Sequence, residues 1–487
     1  MTTGLTTEVG FPKSFKSIRS PVVEKTPYAR QRPRSLVAWV TLIGILFPPI
    51  DISLGAIHFT PGRFVVILLL IPALGTLLRS GRSGVASDLF AVAVSTWMLV
   101  SSALNGGFKL FVGAEALEFL GAYLIGRAFF FGPSNLQTFV QALKGITVVI
   151  IALGILDTLS GRNITIESLG VARPVSDLYL ANIYRLGLVR ATSVFECAEH
   201  YGTFCAAAAS IFLYAERGIS RIIYVGLCFF GCVFALSSGP LVILGIVTAV
   251  FSYDHILKHY PWRWKALMTT VIGLIAIIFL VTDHPIMWIV SHITFNPQTA
   301  WFRLGTWNAA LPLVEQSPFI GYGFSNLGDS ANVRVYLWSV DSLWLLEALR
   351  YGLSGVILLV LTMFLAILKG RRKSTFDLGI YAAPTGFSLA IVAMGLIGLT
   401  VHFWDAPWLF LNLCIGIRAS LGEYEAGQGR RLARGGKGLP LQWSAPLTAE
   451  RMQVGNRPRA AGLAFRERKL RSSKLDGAFR YCPGSNR

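Results

Sequence analysis

Six arginines, Arg162, Arg173, Arg185, Arg190, Arg303 and Arg334, fall in two segments, about 159–198 and 285–341, that separate long apolar runs. A guanidinium is a planar fork of donors that grips phosphate oxygens bidentately, and several together neutralise the charge that grows on a departing diphosphate. The same residues have two ordinary uses, reaching lipid headgroups and pairing with acids such as Glu167, Asp177 or Glu196. Arg185 and Arg190 precede the polar knot TSVFECAEH, which brings Glu196, Glu199 and His200 to the mouth of the next apolar run. For His200 a helix-end cap or a wall hydrogen bond is the ordinary reading. In WSVDSLWLLEALRYGLSG, Asp341, Glu347 and Arg350 come before Gly352 and Gly355. Ionisable groups at membrane depth are costly unless paired or in a wet cavity, so 341–351 is expected to be a half-helix or broken helix facing a polar cavity. Asp341 or Glu347 could there take the proton of an attacking hydroxyl. Alternatively Asp341 caps the helix, and Glu347 and Arg350 pair with other helices.

The frame that must hold these residues is apolar. Of 487 residues 53% are hydrophobic and 14% charged, with a mean hydropathy of +0.58, which excludes a soluble globular domain and points to an all-α, polytopic transmembrane helical bundle. Spans of roughly 20 apolar residues are needed to cross a bilayer. They are expected at about 36–54, 62–79, 86–104, 110–130, 139–158, 199–216, 220–237, 239–253, 266–284, 342–369, 377–400 and 404–420, twelve in all. The net charge of +19 resides mostly at the ends: residues 1–35 hold seven basic and two acidic side chains, and residues 421–487 hold fourteen and five. Basic ends around an apolar body match a cytoplasmic membrane surface rather than nucleic acid.

An even number of spans returns both termini to the cytoplasm, and the basic turns Arg79–Arg82, Arg127, Arg217–Arg221, Lys258–Lys265 and Lys369–Lys373 then fall on that side. The expected organisation is a basic N-terminal segment (1–35), a membrane domain (36–420) and a basic cytoplasmic tail (421–487). Leu36 onward reads as a retained first span rather than a cleaved signal peptide. The arginine-bearing segments become the two long loops on the far side. In the second, Trp301, Leu304, Trp307, Leu311 and Val314 recur at helical spacing, so a short amphipathic helix on the membrane face is expected, with Arg303 and Asn308 on its polar side.

The cysteines, Cys197, Cys205, Cys228, Cys232, Cys414 and Cys482, imply no disulfide framework, and Cys228 and Cys232 lack the further ligands of a zinc site. Asp283, His284 and His292 are a weak metal signal. No nucleotide-binding loop, metalloprotease helix, nucleophile elbow or dinucleotide fingerprint is present. The expectation is of no cofactor and no metal.

Three stretches carry a family resemblance: Arg190 to Glu196 leading into Gly202; the turn Leu236-Ser237-Ser238-Gly239; and Arg303 through Trp307 to Glu315, Pro318 and Gly321-Tyr322-Gly323-Phe324, followed by Asp341 and Glu347 to Gly355. The chain resembles the bacterial O-antigen ligase and O-antigen or exopolysaccharide polymerase superfamily over roughly residues 36–420. That resemblance implies a large periplasmic loop over a membrane cavity. It also implies transfer of a glycan from an undecaprenyl-diphosphate carrier without metal or nucleotide.

By position it gives donor-phosphate roles to Arg190 and Arg303, with Arg185 third; the base role of Asp341 or Glu347 comes from the residues themselves. Sugar-contact candidates are Trp307, Tyr322, Trp344 and Glu196; the aromatic rings are equally suited to anchoring at the interface. Ligase-like members have histidine where Asp341 stands, and many have His-Pro where Cys197-Ala198 occurs, so a polymerase fits better than a lipid A-core ligase. A flippase or a non-catalytic scaffold remains the rival reading. The implied partners are the lipid-linked oligosaccharide, membrane lipids, flippase and chain-length regulator proteins, and no nucleic acid. The implied location is the bacterial inner membrane.

Overall fold

Backbone polar groups in hydrocarbon must be satisfied within their own segment, which favours helices, and the apolar runs of this chain fold accordingly. The computed structural model describes residues 35–46, 50, 52–54, 57–107, 109–169, 183–283, 288, 297–324, 340–368 and 382–434. Arg173, Asp177, Arg334, His284, His292, Cys482, the basic turn 369–373, and the N-terminal and C-terminal basic segments beyond these bounds lie outside the described residues.

Among the described residues there are fourteen helices: α1 (Ser35–Ile45), α2 (Pro61–Arg79), α3 (Ala86–Leu104), α4 (Leu110–Phe129), α5 (Pro133–Ser160), α6 (Ile164–Ser168), α7 (Ala198–Ala215), α8 (Gly218–Phe234), α9 (Ser238–Ile256), α10 (Arg263–Val281), α11 (Pro297–Gln316), α12 (Leu343–Leu368), α13 (Ala383–Ile397) and α14 (Asp405–Arg434). Two antiparallel hairpins accompany them, β1 (Ile52–Leu54) with β2 (Ile57–Phe59), and β3 (Tyr184–Arg185) with β4 (Leu188–Val189).

Each of the twelve expected segments carries a helix. Six of them, α2, α3, α5, α9, α10 and α12, are long and apolar enough to cross a membrane. The others are limited by composition or length: α4 carries Glu115, Glu118 and Arg127, while α8 and α13 have 17 and 15 residues. Several boundaries shift, α5 for instance beginning at Pro133 rather than 139, and two depart most. The first segment forms an 11-residue helix and then a hairpin with Ile52 opposite Phe59, because Pro48 and Pro49 supply no backbone N–H to continue it. At the other extreme α14 runs to Arg434, well past residue 420, since Glu423 is buried in an ion-pair network and draws the helix onward.

At the centre lies α7. Every residue of it except Glu199 is buried, and the run Ala206 to Ala209 is fully so; a helix apolar all round belongs inside a bundle. It packs against α8, α9 and α13. The α4–α14 pair is equally intimate. A side chain on Gly126 would meet the Leu413 carbonyl at 2.5 Å, and one on Gly416 would strike the Tyr123 backbone, so small residues set that approach as they do between membrane helices. Outer helices expose large apolar groups instead, such as Ile71 (78%) and Leu280 (86%), a surface suited to lipid.

Cross-links between loops define two ends of the bundle. One end gathers the C-termini of α5 and α8, the N-terminus of α7 and the α13–α14 connection, joined by bonds from Ala191 N to Phe234 O (2.9 Å), from Ser193 N to Asp157 Oδ2 (2.7 Å) and from His200 Nε2 to His402 O (2.9 Å). The opposite end holds the basic α2–α3 turn, tied through Arg82 and Arg127 to Glu423 (2.8 and 2.6 Å).

Candidate functional site

Arg185 and Arg190 are positioned by the end of α8. The last carbonyls of a helix lack intrahelical partners and carry its negative dipole end. Here Ala191 N donates to Phe234 O (2.9 Å), Arg190 Nε to Ala235 O (3.1 Å) and an Arg185 terminal nitrogen to Leu236 O (2.7 Å). Three successive carbonyls are thereby satisfied by one loop, and two of the donors are guanidinium groups. The loop is fixed from behind by Asp157 at the end of α5, whose carboxylate accepts from Thr192 N (3.2 Å) and Ser193 N (2.7 Å), while Ser193 Oγ donates to Ile150 O (2.7 Å).

Arg190 is buried and pairs with Glu199 at 2.5 Å. Arg185 is half-buried and has no carboxylate at ion-pair distance among the described residues. Burial, then the neighbouring Arg190 charge, pushes Arg185 below the usual arginine value, and Arg303 lies within its electrostatic reach. For Arg303 burial again pushes the value down, opposed by Glu199 and Asp341 and reinforced by Arg190. Arg185, Arg190, Glu199 and Arg303 are thus electrostatically coupled, with Asp341 in reach of Arg303 and the Arg190–Glu199 pair in direct contact.

Arg303 reaches this cluster because α11 does not lie as expected. Its apolar face, Trp307, Ala310 and Val314, packs with Leu345, Ala348 and Leu349 of α12. Trp301 is 74% exposed, and Arg303 is half-buried rather than on an outer polar face with the exposed Asn308. Asp341 is exposed and is not the helix cap: Ser342 Oγ accepts from Leu345 N (3.4 Å) and donates to Gly398 O (3.1 Å).

The expected break in α12 is present. Gly352 adopts φ +71°, ψ 177° inside the helix. The freed carbonyls of Leu349 and Arg350 accept from Tyr322 N and Gly323 N (both 2.8 Å), and Leu353 N donates to Pro318 O (2.7 Å). Gly321, also at φ +71°, closes the clasp: a side chain there would meet Gly352 N at 2.6 Å, and one on Gly352 would collide with the Phe319 backbone.

Below the break's N-terminal side lies a second polar group. Glu347 is buried, with Glu115 and Arg350 in electrostatic reach. Arg350 pairs with Glu115 (3.1 Å) and stands over the Phe324 ring at 4.3 Å; Tyr351 Oη donates to Glu115 (2.5 Å). Glu118, one helical turn further along α4, pairs with Arg63 of α2. Glu347 therefore belongs to this inner ladder, and Asp341 to the arginine cluster.

The sugar-contact candidates separate. Trp307 is 7% exposed and serves the α11–α12 core. Trp344 Nε1 donates to Gly395 O (2.7 Å), and Tyr322 Oη to Leu313 O (3.0 Å), so both are tied to neighbouring backbone. Glu196 accepts from the indole N–H of Trp404.

Sequence reasoning missed Asp157, Glu115, Glu118, Arg63 and the Trp404–Asp405 pair. A signal existed for the carboxylates of α4, since two acids three apart in an apolar run need partners. Backbone strain marks the same end. Leu186 (φ 56°), Ser193 (φ 51°), Leu236 (φ 47°) and Asp405 (φ 47°) are the non-glycine residues at positive φ among those described, each costing about 1–2 kcal/mol, and such strain concentrates at functional sites. Among the described residues no three His, Cys, Asp or Glu side chains gather as metal ligands would. The arrangement sets a positively charged loop at the end of α8, with Arg190 paired to Glu199 and Asp341 exposed. No protein-family model matches the chain, and no curated protein sequence is similar to it.

Proposed function

We propose that this chain is an integral-membrane glycosyltransferase that polymerises or transfers undecaprenyl-diphosphate-linked oligosaccharide repeat units during cell-surface polysaccharide synthesis. What supports the reading is that Arg185 and Arg190 are held by the carbonyls that end α8, with Arg303 in electrostatic reach of both. In this reading the chain crosses the bacterial inner membrane twelve times with both termini cytoplasmic, and the arginine end faces the periplasm. The gathering of Arg79, Arg82, Arg217 and Arg221 in turns at the other end of the helices supports that orientation.

The donor diphosphate sits on the three guanidinium groups, its lipid tail leaving between helices into the bilayer. An acceptor hydroxyl attacks the anomeric carbon, the bond from that carbon to the diphosphate oxygen breaks, and the arginines stabilise the negative charge that moves onto the leaving group. Asp341, exposed yet within reach of Arg303, accepts the hydroxyl proton late in the reaction.

Reconstitution into liposomes with lipid-diphosphate-linked oligosaccharide from the host, followed by sizing of the products, tests the proposal. A ladder of repeats identifies a polymerase and a single addition to another lipid a ligase. Unchanged donor recovered on the opposite leaflet identifies a flippase and ends the enzymatic reading, as does full product yield from well-expressed Arg190→Ala and Arg303→Ala proteins.

A further inference from the structure

A cleft opens at the same end, beside the arginine cluster but chemically unlike it. It is lined by Thr60 at the start of α2, by Glu196 and His200, and by Trp404 and Asp405 leading into α14. Trp404 is 36% exposed, yet its ring is braced from three directions. The indole N–H donates to Glu196, the His200 ring lies edge-on at 4.1 Å between centroids, and the His402 ring lies at 5.4 Å. His200 is itself locked by its bond to His402 O (2.9 Å). Fixing an aromatic ring so firmly while leaving it open suits a platform that meets a ligand, because the ordering cost is met before binding. Asp405 beside it is held in the left-handed region, φ +47°.

We propose that this cleft is a glycan subsite, with Trp404 stacking on the apolar face of a sugar ring while Glu196 and Asp405 accept hydrogen bonds from its hydroxyls. Two carboxylates repel phosphate, so the ligand class differs from that of the arginine cluster; carboxylate acceptors beside an open aromatic face are what a neutral, hydroxyl-rich ligand needs. Glu196 is three residues from Glu199, the partner of Arg190, so a glycan in the cleft lies next to the donor diphosphate. Its identification as the acceptor rests on the glycosyltransferase reading; its identification as a sugar site does not.

The test is equilibrium binding to the full-length protein in detergent. The probe is a radiolabelled repeat-unit oligosaccharide, freed by mild acid from the host's lipid-diphosphate pool and dephosphorylated. Trp404→Ala is expected to weaken binding about tenfold, Glu196→Gln about threefold and Trp404→Phe less than threefold, changes of about 1.4 kcal/mol and below; inorganic diphosphate is expected not to displace the probe. No saturable binding to the wild type, displacement by diphosphate, or wild-type affinity in a folded Trp404→Ala protein overturns the subsite. If Trp404→Ala fails to fold, Glu196→Gln decides alone, unchanged affinity overturning the subsite. Trp404-dependent binding without any transfer in liposomes leaves the subsite standing and removes the acceptor role. Transfer that needs Arg190 and Arg303 but shows an unaltered acceptor KM in Trp404→Ala removes the subsite and leaves the enzyme.

Discussion

The bundle has an arginine cluster at each end, and the two are built on opposite principles. At one end Arg82 and Arg127 meet Glu423 and Asp88 at 2.6–2.9 Å, with Ser83 N, Tyr123 Oη and Ser420 Oγ completing the network. Cations and carboxylates balance there, and the network staples the α2–α3 turn and α4 to α14. At the other end Arg190 pairs with Glu199, with Arg185 and Arg303 in electrostatic reach and the exposed Asp341 in reach of Arg303. Two of those guanidinium groups are anchored on helix carbonyls, which are dipoles rather than full charges. A closed network serves stability. Arg185, anchored on a dipole with no carboxylate at ion-pair distance among the described residues, keeps more of its positive potential.

Four measurements break or sharpen this contrast. The largest effect is expected from Glu423→Ala, which leaves the buried Arg82 guanidinium without its carboxylate and Arg127 with Asp88 alone, and should cost about 3–5 kcal/mol of stability. Thermal unfolding should show it, with transfer per folded molecule unchanged; reduced transfer at an unchanged midpoint would break the comparison. Next, Arg303→Ala should lower transfer by about 10²–10³-fold, the loss of a donor aimed at developing charge, and move the unfolding midpoint far less than Glu423→Ala does.

A smaller effect is expected from Gly352→Ala. A positive φ and a collision with the Phe319 backbone should cost at least about 1–3 kcal/mol and loosen the clasp between α12 and residues 318–323, read as faster backbone hydrogen exchange there. Smallest is a pH effect. Burial raises Glu423, but Arg82 and Arg127 outweigh it and hold the carboxyl below its usual 4.5. Because the folded value is depressed, this stabilisation is complete above about pH 4.5 and is lost as pH falls through the lower folded value. The wild-type midpoint should drop in that window, and the drop should be smaller in Glu423→Gln.

Much of the frame was legible because apolar runs of about 20 residues have few alternatives: α3 and α7 fall within a residue of their expected bounds. The broken α12 was legible for a related reason, since Glu347 and Arg350 before two glycines cannot sit in an unbroken lipid-facing helix. What escaped was whatever depends on packing between distant segments. The spacing of Trp301, Trp307 and Val314 pointed to a short helix, which the structure extends to Pro297–Gln316, but not to the rotation that hides Arg303. Nothing local to Asp157 shows that it braces a loop 35 residues away. Trp404 and Asp405 looked like the start of a span, because the cleft they line is completed by residues from α2 and the 194–200 turn.

Helix α10 buries none of its residues. Among the described residues its ties are at its start, where Arg263 pairs with Asp254 of α9, so the tilt and depth of the rest follow the thickness of the surrounding acyl chains. Transferred from a bilayer to a micelle, it is the element whose geometry follows the amphiphile, so disagreement between structures obtained in different detergents should begin at Arg263–Val281 while α7, enclosed on all sides, stays put.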